Sequence, residues 1–346
     1  MTYSIRFLLA CSTLTSMLLS ACGGTTNSKE LTLLIWDNYL APDTIANFEK
    51  ETGAKVTVEL FKSNEEALAK IKANPGVYDI AVPSDYMVEI LKKDGQLESI
   101  DHASVPNGNN IAASARGHYY DPDFSASVPY AFGSAGFAVN TKFVQDATLT
   151  WKMLTEPRFK GHIVLMDDMR YVLGSVLLEL GLDPNTRKKE DIDAAVKLLK
   201  QVIPNVQKIT PDTPVDLMVA NGAWVAYGYS GDSYQMHDGN AAITYMLPTY
   251  GGMQFFDNLV IPVGALHKDL ALQFIDYILR PGVSAAIANA THYGNANAAA
   301  QPLIDEKIRN NPSVFPPASV MQKLHFVQDL GDDLALYDNA WQEIKR

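Results

Sequence analysis

Apolar and polar residues alternate with two different periods in the first third of the chain, and these periods predict strands and helices in regular order. Gly53 and Pro75-Gly76 end the two first helical patterns. The order β-α-β-α-β-α predicts a mostly parallel sheet with crossover helices. The predicted strands are Leu31–Ile35, Lys55–Leu60 and Tyr78–Val82, and the predicted helices are Pro42–Thr52, Glu65–Ala73 and Tyr86–Lys93.

A second unit of the same kind begins near residue 137, and two long β-like stretches, 126–139 and 255–263, connect it to the first. This predicts an α/β clamshell with a cleft between two lobes. We expect residues 31–136 and 259–304 in the N-terminal lobe, and 137–258 and 305–346 in the C-terminal lobe. The second unit has predicted strands at 163–165, 224–228 and 243–247 and predicted helices at 171–181 and 192–202. We expect the helix 270–279 to pack on the first lobe and the tail from residue 319 to be helical.

The first 22 residues have the pattern of an export signal. Arg6 is their only charge, an apolar stretch runs from Phe7 to Leu19, and Ser20-Ala21 precede Cys22. This pattern predicts a lipoprotein signal peptide (1–21), lipidation of Cys22, a flexible tether (22–30) and a membrane-anchored protein of the periplasm or cell envelope. An ordinary signal peptide with a coincidental cysteine is the alternative.

Composition argues against several classes of function. The formal charge of −11 disfavours nucleic acid and anionic membrane surfaces as partners. The chain has two cysteines and seven histidines, and no two histidines lie three or four residues apart, so no zinc motif is present. Phosphate-binding loops and nucleophile elbows are also absent. We therefore expect no enzyme activity, no cofactor and no metal.

The most informative feature is a set of five segments that place aromatic rings beside carboxylates or hydroxyls. Rings attract cations through their quadrupole, and carboxylates pair with cations. Three of the segments follow predicted strand ends, where ligands bind in such sheets. The segments are Trp36-Asp37-Asn38-Tyr39, Ser84-Asp85-Tyr86, Tyr229-Ser230-Gly231-Asp232, Phe255-Phe256-Asp257 and Tyr293.

A series of short motifs follows in a fixed order from Leu31 to the C-terminal part of the chain. They are Trp36-x-x-Tyr39, Tyr78-Asp-Ile-Ala-Val-Pro-Ser84, Val128-Pro-Tyr130, Ser230-Gly-Asp232, Phe255-Phe-Asp257, Leu279-Arg-Pro281, Tyr293-Gly-Asn-Ala-Asn297 and Asn311-Pro-x-x-Phe-Pro-Pro317. In this order and spacing the chain resembles the periplasmic spermidine/putrescine-binding proteins of bacterial ABC importers, and its later motifs are most similar to the putrescine-binding branch. The resemblance implies a two-lobe, type II binding-protein fold that delivers polyamines to permease subunits.

The resemblance implies which residues bind the ligand. Asp232 and Asp257 match carboxylates that bind the cation, and Tyr229 stands where the family usually has Trp. Asp168 precedes a helix whose Tyr171 replaces a usual Glu. The other matched positions are Trp36, Tyr39, Ser84, Tyr86, Phe255 and Tyr293.

Two anionic partners of the family are missing, at Asn38 and Tyr171, so the amine selected is open. Asp37 and Asp85 are extra acids that either compensate or face solvent, while Asp168 and Asp232 could instead cap helices. A sensory binding protein that docks on a membrane signalling receptor, an altered amine specificity, and a metal-binding protein remain alternatives.

Overall fold

The computed structural model describes residues 29–346; the predicted signal peptide, Cys22 and nearly all of the tether lie outside the described residues. The strands are β1 Glu30–Trp36, β2 Lys55–Phe61, β3 Ile80–Ala81, β4 Ser127–Asn140, β5 Ile163–Met166, β6 Val206–Thr210, β7 Val225–Tyr229, β8 Ile243–Met246, β9 Gly252–Val260, β10 Gly294–Asn295 and β11 Leu324–Phe326. The helices are α1 Thr44–Thr52, α2 Asn64–Ala73, α3 Asp85–Lys93, α4 Met169–Glu179, α5 Lys189–Val202, α6 Val215–Val219, α7 Ser230–Gly239, α8 Lys268–Ile278, α9 Pro281–Thr291, α10 Glu306–Arg309, α11 Ala318–Met321 and α12 Leu334–Ile344.

One mixed sheet runs through the molecule in the order β2-β1-β3-β9-β4-β7-β5-β6. β1 pairs in parallel with β2 and β3, and β5 pairs in parallel with β6 and β7. Between these groups, β4 and β9 are antiparallel to each other and to their outer neighbours. We call the unit around β1–β3 the first lobe and that around β5–β7 the second lobe. The expected domain boundaries, after residues 136 and 258, fall inside β4 and β9 and stay a prediction.

The central strands form the most deeply buried part of the sheet. Every residue of β9 is buried, as expected for a strand covered on both faces, whereas the edge strand β2 leaves Val58 and Leu60 exposed. In the first lobe, Phe48 of α1 packs edge-to-face on Phe274 of α8, with ring centroids 4.9 Å apart. This contact agrees with the predicted return of the 270–279 helix to the first lobe.

The C-terminal tail, which was predicted to be helical from residue 319, is only partly so. Between α11 and α12 it forms β11, which pairs in parallel with β9. The next residues contact both lobes: the Tyr119 hydroxyl donates to the Val327 carbonyl at 2.5 Å, and the Arg170 guanidinium donates to the Gln328 carbonyl at 3.1 Å. The tail is therefore a third chain crossing, in addition to the two predicted ones.

Within residues 29–346, no single helix is long and apolar enough to span a membrane. Only α8 and α9 taken together reach the required length and hydropathy, and a 74° bend separates them.

Asp79 joins the first strand group to the start of α8 and provides a test of this arrangement. Its buried carboxylate accepts the Thr32 and His267 backbone amides, at 2.8 and 2.9 Å. Asp79→Ala leaves both donors without their acceptor, and we expect a loss of ~2–4 kcal/mol in the free energy of unfolding, measured by urea denaturation. Asp94→Ala, which removes an exposed pair with Lys72, serves as the control and should change stability by less than ~0.5 kcal/mol. Equal losses of stability in the two variants would contradict the role of Asp79 in joining the strands to α8.

Candidate functional site

The predicted ligand-binding residues meet in one cavity of about 400 Å³ between the two lobes. It opens at the carboxyl ends of the parallel strands: β1 ends at Trp36, β7 ends at Tyr229, and Ser84 and Asp168 follow β3 and β5. Twelve of the fourteen predicted residues line it, namely Trp36, Asp37, Asn38, Tyr39, Ser84, Asp168, Tyr171, Tyr229, Asp232, Phe255, Asp257 and Tyr293.

Five aromatic rings form a continuous wall along this cavity. Tyr39 lies beside Tyr293, Tyr293 beside Phe255, and Phe255 beside Tyr229, with centroid distances of 5.3, 5.9 and 5.3 Å. Tyr171 extends the wall at 5.5 Å from Tyr229. Most contacts are edge-to-face, the geometry that ring quadrupoles favour. The wall thus includes rings from both lobes and from the crossing strand β9.

Two glycines make room for this wall. A Cβ atom on Gly231 would lie 2.7 Å from the Tyr293 ring, and one on Gly133 would lie 2.7 Å from the Phe255 ring. Both distances are shorter than any normal van der Waals contact, so a larger residue at either position would displace a ring. The rings can approach the backbone this closely only because these positions are glycine.

Asp257 is the most buried carboxylate of the cavity, with 2% of its surface exposed. The Ser84 hydroxyl donates to its Oδ1 at 2.6 Å, and the Tyr39 hydroxyl donates to its Oδ2 at 2.5 Å. Burial raises the pKa of Asp257 to about 7, although these two hydrogen bonds act in the opposite direction. Each oxygen has a further lone pair with which to accept a donor from a ligand.

Asp232 and Asp168 are partly buried carboxylates on the second lobe. Asp232 accepts the Tyr293 hydroxyl at 3.0 Å and the Thr213 hydroxyl at 2.8 Å, and burial raises its pKa. Asp168 caps α4: its Oδ1 accepts the amides of Arg170 and Tyr171, while its Oδ2 accepts the Tyr229 hydroxyl at 3.2 Å. Burial raises the pKa of Asp168 to about 6. The capping alternative is thus observed for Asp168, which also lines the cavity, whereas the Asp232 carboxylate accepts side-chain hydroxyls.

None of these three carboxylates forms an ion pair with another residue in the described part of the chain. A charge removed from water without an opposite charge costs several kcal/mol, which is the physical reason for the raised pKa values. The cavity is therefore built to receive positive charge from outside.

Asn38 and Tyr171, the two positions where the sequence suggested a missing acid, lie at different depths. Asn38 occupies a turn directly after β1 with φ of 54°, a left-handed conformation that asparagine tolerates better than most residues. It is exposed at the rim of the cavity. Tyr171 is buried and contributes an aromatic ring to the cavity wall, 5.5 Å from Tyr229.

The structure does not bring Asp85 and Tyr86 to the cavity. Asp85 is fully buried behind it, where its carboxylate accepts the Phe256 and Tyr86 amides at 2.8 and 2.7 Å. Burial raises the pKa of Asp85 to about 8. The Tyr86 hydroxyl donates to Glu65 at 3.0 Å. Asp85 therefore neither compensates for Asn38 from a new angle nor faces solvent; it attaches α3 to β9. Asp37 is exposed and lines the rim.

Sequence reasoning missed several lining residues, among them Lys62, Asp212 and Thr213. All three lie just after the edge strands β2 and β6. The strand-end rule that selected Trp36 and Ser84 could have found Lys62, because the β2 pattern was recognised. It could not have found Asp212 and Thr213, because β6 was not predicted.

Comparison with known proteins places the chain in a family. The family model for bacterial extracellular solute-binding proteins matches residues 43–316. The chain belongs to this family. It is 32% identical over 312 residues to the spermidine/putrescine-binding periplasmic protein of Salmonella typhimurium, covering 90% of each chain. It is 33% identical over 352 residues to the putrescine-binding periplasmic protein PotF of Escherichia coli, covering 95% of each.

Solved structures agree with this placement in the solute-binding family. One from Listeria monocytogenes has a TM-score of 0.88 at 34% identity and covers 92% of this chain and 99% of its own. The spermidine/putrescine ABC transporter substrate-binding protein PotD of Streptococcus pneumoniae has a TM-score of 0.81 at 29% identity, with 92% and 99% covered. The predicted type II clamshell is confirmed. So is the prediction that the chain is not an enzyme, since these relatives are solute-binding transport proteins.

The raised pKa values predict how stability depends on pH. A free Asp titrates near 3.9, so between pH ~4 and ~7 the folded protein holds more protons than the unfolded chain. Asp257 therefore makes the free energy of unfolding fall as pH rises, by up to ~1.4 kcal/mol per pH unit. Urea denaturation at pH 5, 6, 7 and 8 in amine-free buffer should show a flatter dependence for Asp257→Asn than for the unaltered protein. Parallel curves would contradict a raised pKa at Asp257.

Proposed function

We propose that this chain is an extracytoplasmic receptor that binds a polyamine of the putrescine/spermidine class and delivers it to an ABC importer. The observation that carries the proposal is the group of three carboxylates, Asp168, Asp232 and Asp257, which line one ring-walled cavity and form no ion pair with any residue of 29–346. A ligand that supplies positive charge removes the cost of burying them.

The cavity suits an aliphatic amine better than other small solutes. An ammonium group offers several N–H donors, and Asp257 and Asp232 retain lone pairs after accepting hydroxyl donors. The methylene chain of the amine can lie along the rings, which removes apolar surface from water at ~25 cal/mol per Å². An amino acid or organic anion would bring a carboxylate among the three acids, and like charges repel.

Delivery to a permease and attachment to the membrane extend the proposal beyond the cavity. Relatives at about 30% identity over most of the chain are described as spermidine/putrescine-binding or putrescine-binding periplasmic proteins, and ABC transporter substrate-binding proteins are among the structural relatives. A structural relative at 28% identity is a lipoprotein of Treponema pallidum. Together with the Ser20-Ala21-Cys22 pattern, these relatives support anchoring through a lipid on Cys22.

Amine binding is tested by a thermal-shift screen of ligand-free protein. Putrescine, cadaverine, spermidine, norspermidine, spermine and agmatine would be compared with glutamate and glucose. A ligand at about 100 times its Kd adds ~2.7 kcal/mol to the folded state, so at least one amine should raise the Tm by several degrees. The absence of a shift with every amine at millimolar concentration would overturn the proposal.

The assignment of the anionic contact is tested with two matched substitutions of buried acids. Asp257→Asn removes a charge that faces the cavity, and we expect it to weaken amine binding at least ~100-fold, measured by calorimetry. Asp85→Asn alters an equally buried carboxyl group that lies outside the cavity, so it should lower stability but change Kd by less than ~10-fold. Equal effects on Kd would contradict the site.

Anchoring is tested by Cys22→Ala in the full chain. We expect the unaltered protein to fractionate with membranes and to incorporate labelled fatty acid, and the variant to incorporate no label. Amine affinity should be the same in the two proteins, because Cys22 is not among the residues that line the cavity. Label that persists in the variant, or that the unaltered protein does not incorporate, would argue against a lipid on this residue.

A further inference from the structure

An ion pair closes part of the cavity mouth by joining the two lobes. Lys62 follows β2 in the first lobe, and Asp212 follows β6 in the second. The Lys62 Nζ lies 3.2 Å from the Asp212 Oδ1, and the two side chains are 69% and 68% exposed. Both residues line the cavity, so the pair marks its solvent-facing end.

Lys62 is unusual in this position because it carries a positive charge. Among the described residues that line the cavity it is the only basic one, whereas six are aspartates. Asp167 already has a partner in Lys345, at 3.1 Å. The six lining aspartates are Asp37, Asp167, Asp168, Asp212, Asp232 and Asp257. A cavity that attracts cations thus carries a cation of its own at the entrance.

Deeper in the cavity, the carboxylates differ in the groups that compensate their negative charge. Asp168 accepts two backbone amides at the start of α4, where the helix dipole also favours its negative charge. Asp257 and Asp232 accept only hydroxyls, which carry no net charge. Among the described residues, two interior carboxylates therefore have only hydroxyl donors, Asp257 on β9 and Asp232 in the first turn of α7, where the helix dipole also favours its charge.

We propose that Lys62 is a specificity-determining residue that favours diamines over triamines. The inference rests on the amine-binding function proposed above. Two ammonium groups satisfy Asp257 and Asp232 inside the cavity. A third ammonium, farther along the same chain, must point to the mouth. There it meets the Lys62 ammonium, which already holds Asp212 and repels it.

The expected effect is moderate because the pair is exposed. Surface ion pairs contribute little to stability, and two like charges 4 Å apart in water repel only weakly. Lys62 therefore does not block entry to the cavity. It lowers the affinity of the longer amine relative to the shorter one, and salt should reduce the difference because it screens exposed charges.

The test compares the affinities of putrescine and spermidine, measured by calorimetry at low salt, in the unaltered protein and in three variants. Lys62→Met should raise the affinity for spermidine about five-fold relative to that for putrescine, the factor that corresponds to repulsion of two charges at about 4 Å in water. Lys62→Gln should act in the same direction. Asp212→Asn, which leaves Lys62 without its partner, should shift the ratio in the opposite direction, towards putrescine.

Lys189→Met is the matched control. Lys189 is 68% exposed and pairs with Asp193 at 2.6 Å, away from the cavity, so the ratio should not change. If the amines bind but Lys62→Met and Lys62→Gln leave the ratio unchanged, the specificity role is wrong while the receptor function stands. If the unaltered protein binds neither amine, both proposals fail. If Lys189→Met shifts the ratio of the two affinities by an equal amount, the effect is a general one of protein charge, and the specificity role of Lys62 is wrong.

Discussion

The site depends on one constraint, which is that the carboxylate of Asp257 is buried without a positive partner. Asp257 lies on the crossing strand β9, opposite Ala131 of β4, and takes hydrogen bonds from Ser84 after β3 and Tyr39 after β1. These contacts join the first lobe to the central strand pair. The same carboxylate lines the cavity, so one group both holds the first lobe against the central strands and contributes an acidic surface to the cavity.

The order of the elements could be predicted because short apolar runs and helical periods alternate clearly in both lobes. The strand ends placed Trp36 and Ser84 on one rim and Tyr229 on the facing rim, and all three line the cavity. The pairing of rings with carboxylates singled out Asp257 and Tyr293, which lie on a crossing strand and before a two-residue strand, and the family resemblance gave them roles in binding. Both kinds of reasoning contributed to the twelve residues that line one cavity.

What could not be predicted depends on contacts between distant residues. Asp85 stands next to Ser84, yet its carboxylate points away from the cavity because it accepts the Phe256 amide. The β11 strand has three residues and is defined only by its pairing with β9. Gly133 and Gly231 gave no signal in the sequence, since the rings that lie over them come from residues 255 and 293. Lys62 was missed because its ion-pair partner, Asp212, follows a strand that was not predicted.

The pairing of β4 with β9 also has a consequence for how the chain folds. More than a hundred residues separate the two strands. The antiparallel pairing of β3 likewise requires Val260 of β9, which comes much later in the chain. Closing such long loops is costly before their contacts form, so folding dominated by these pairings is slow. The sheet of the first lobe therefore cannot be completed until residue 260 has been synthesised, so this lobe reaches its native pairing late even though most of its strands come early in the chain.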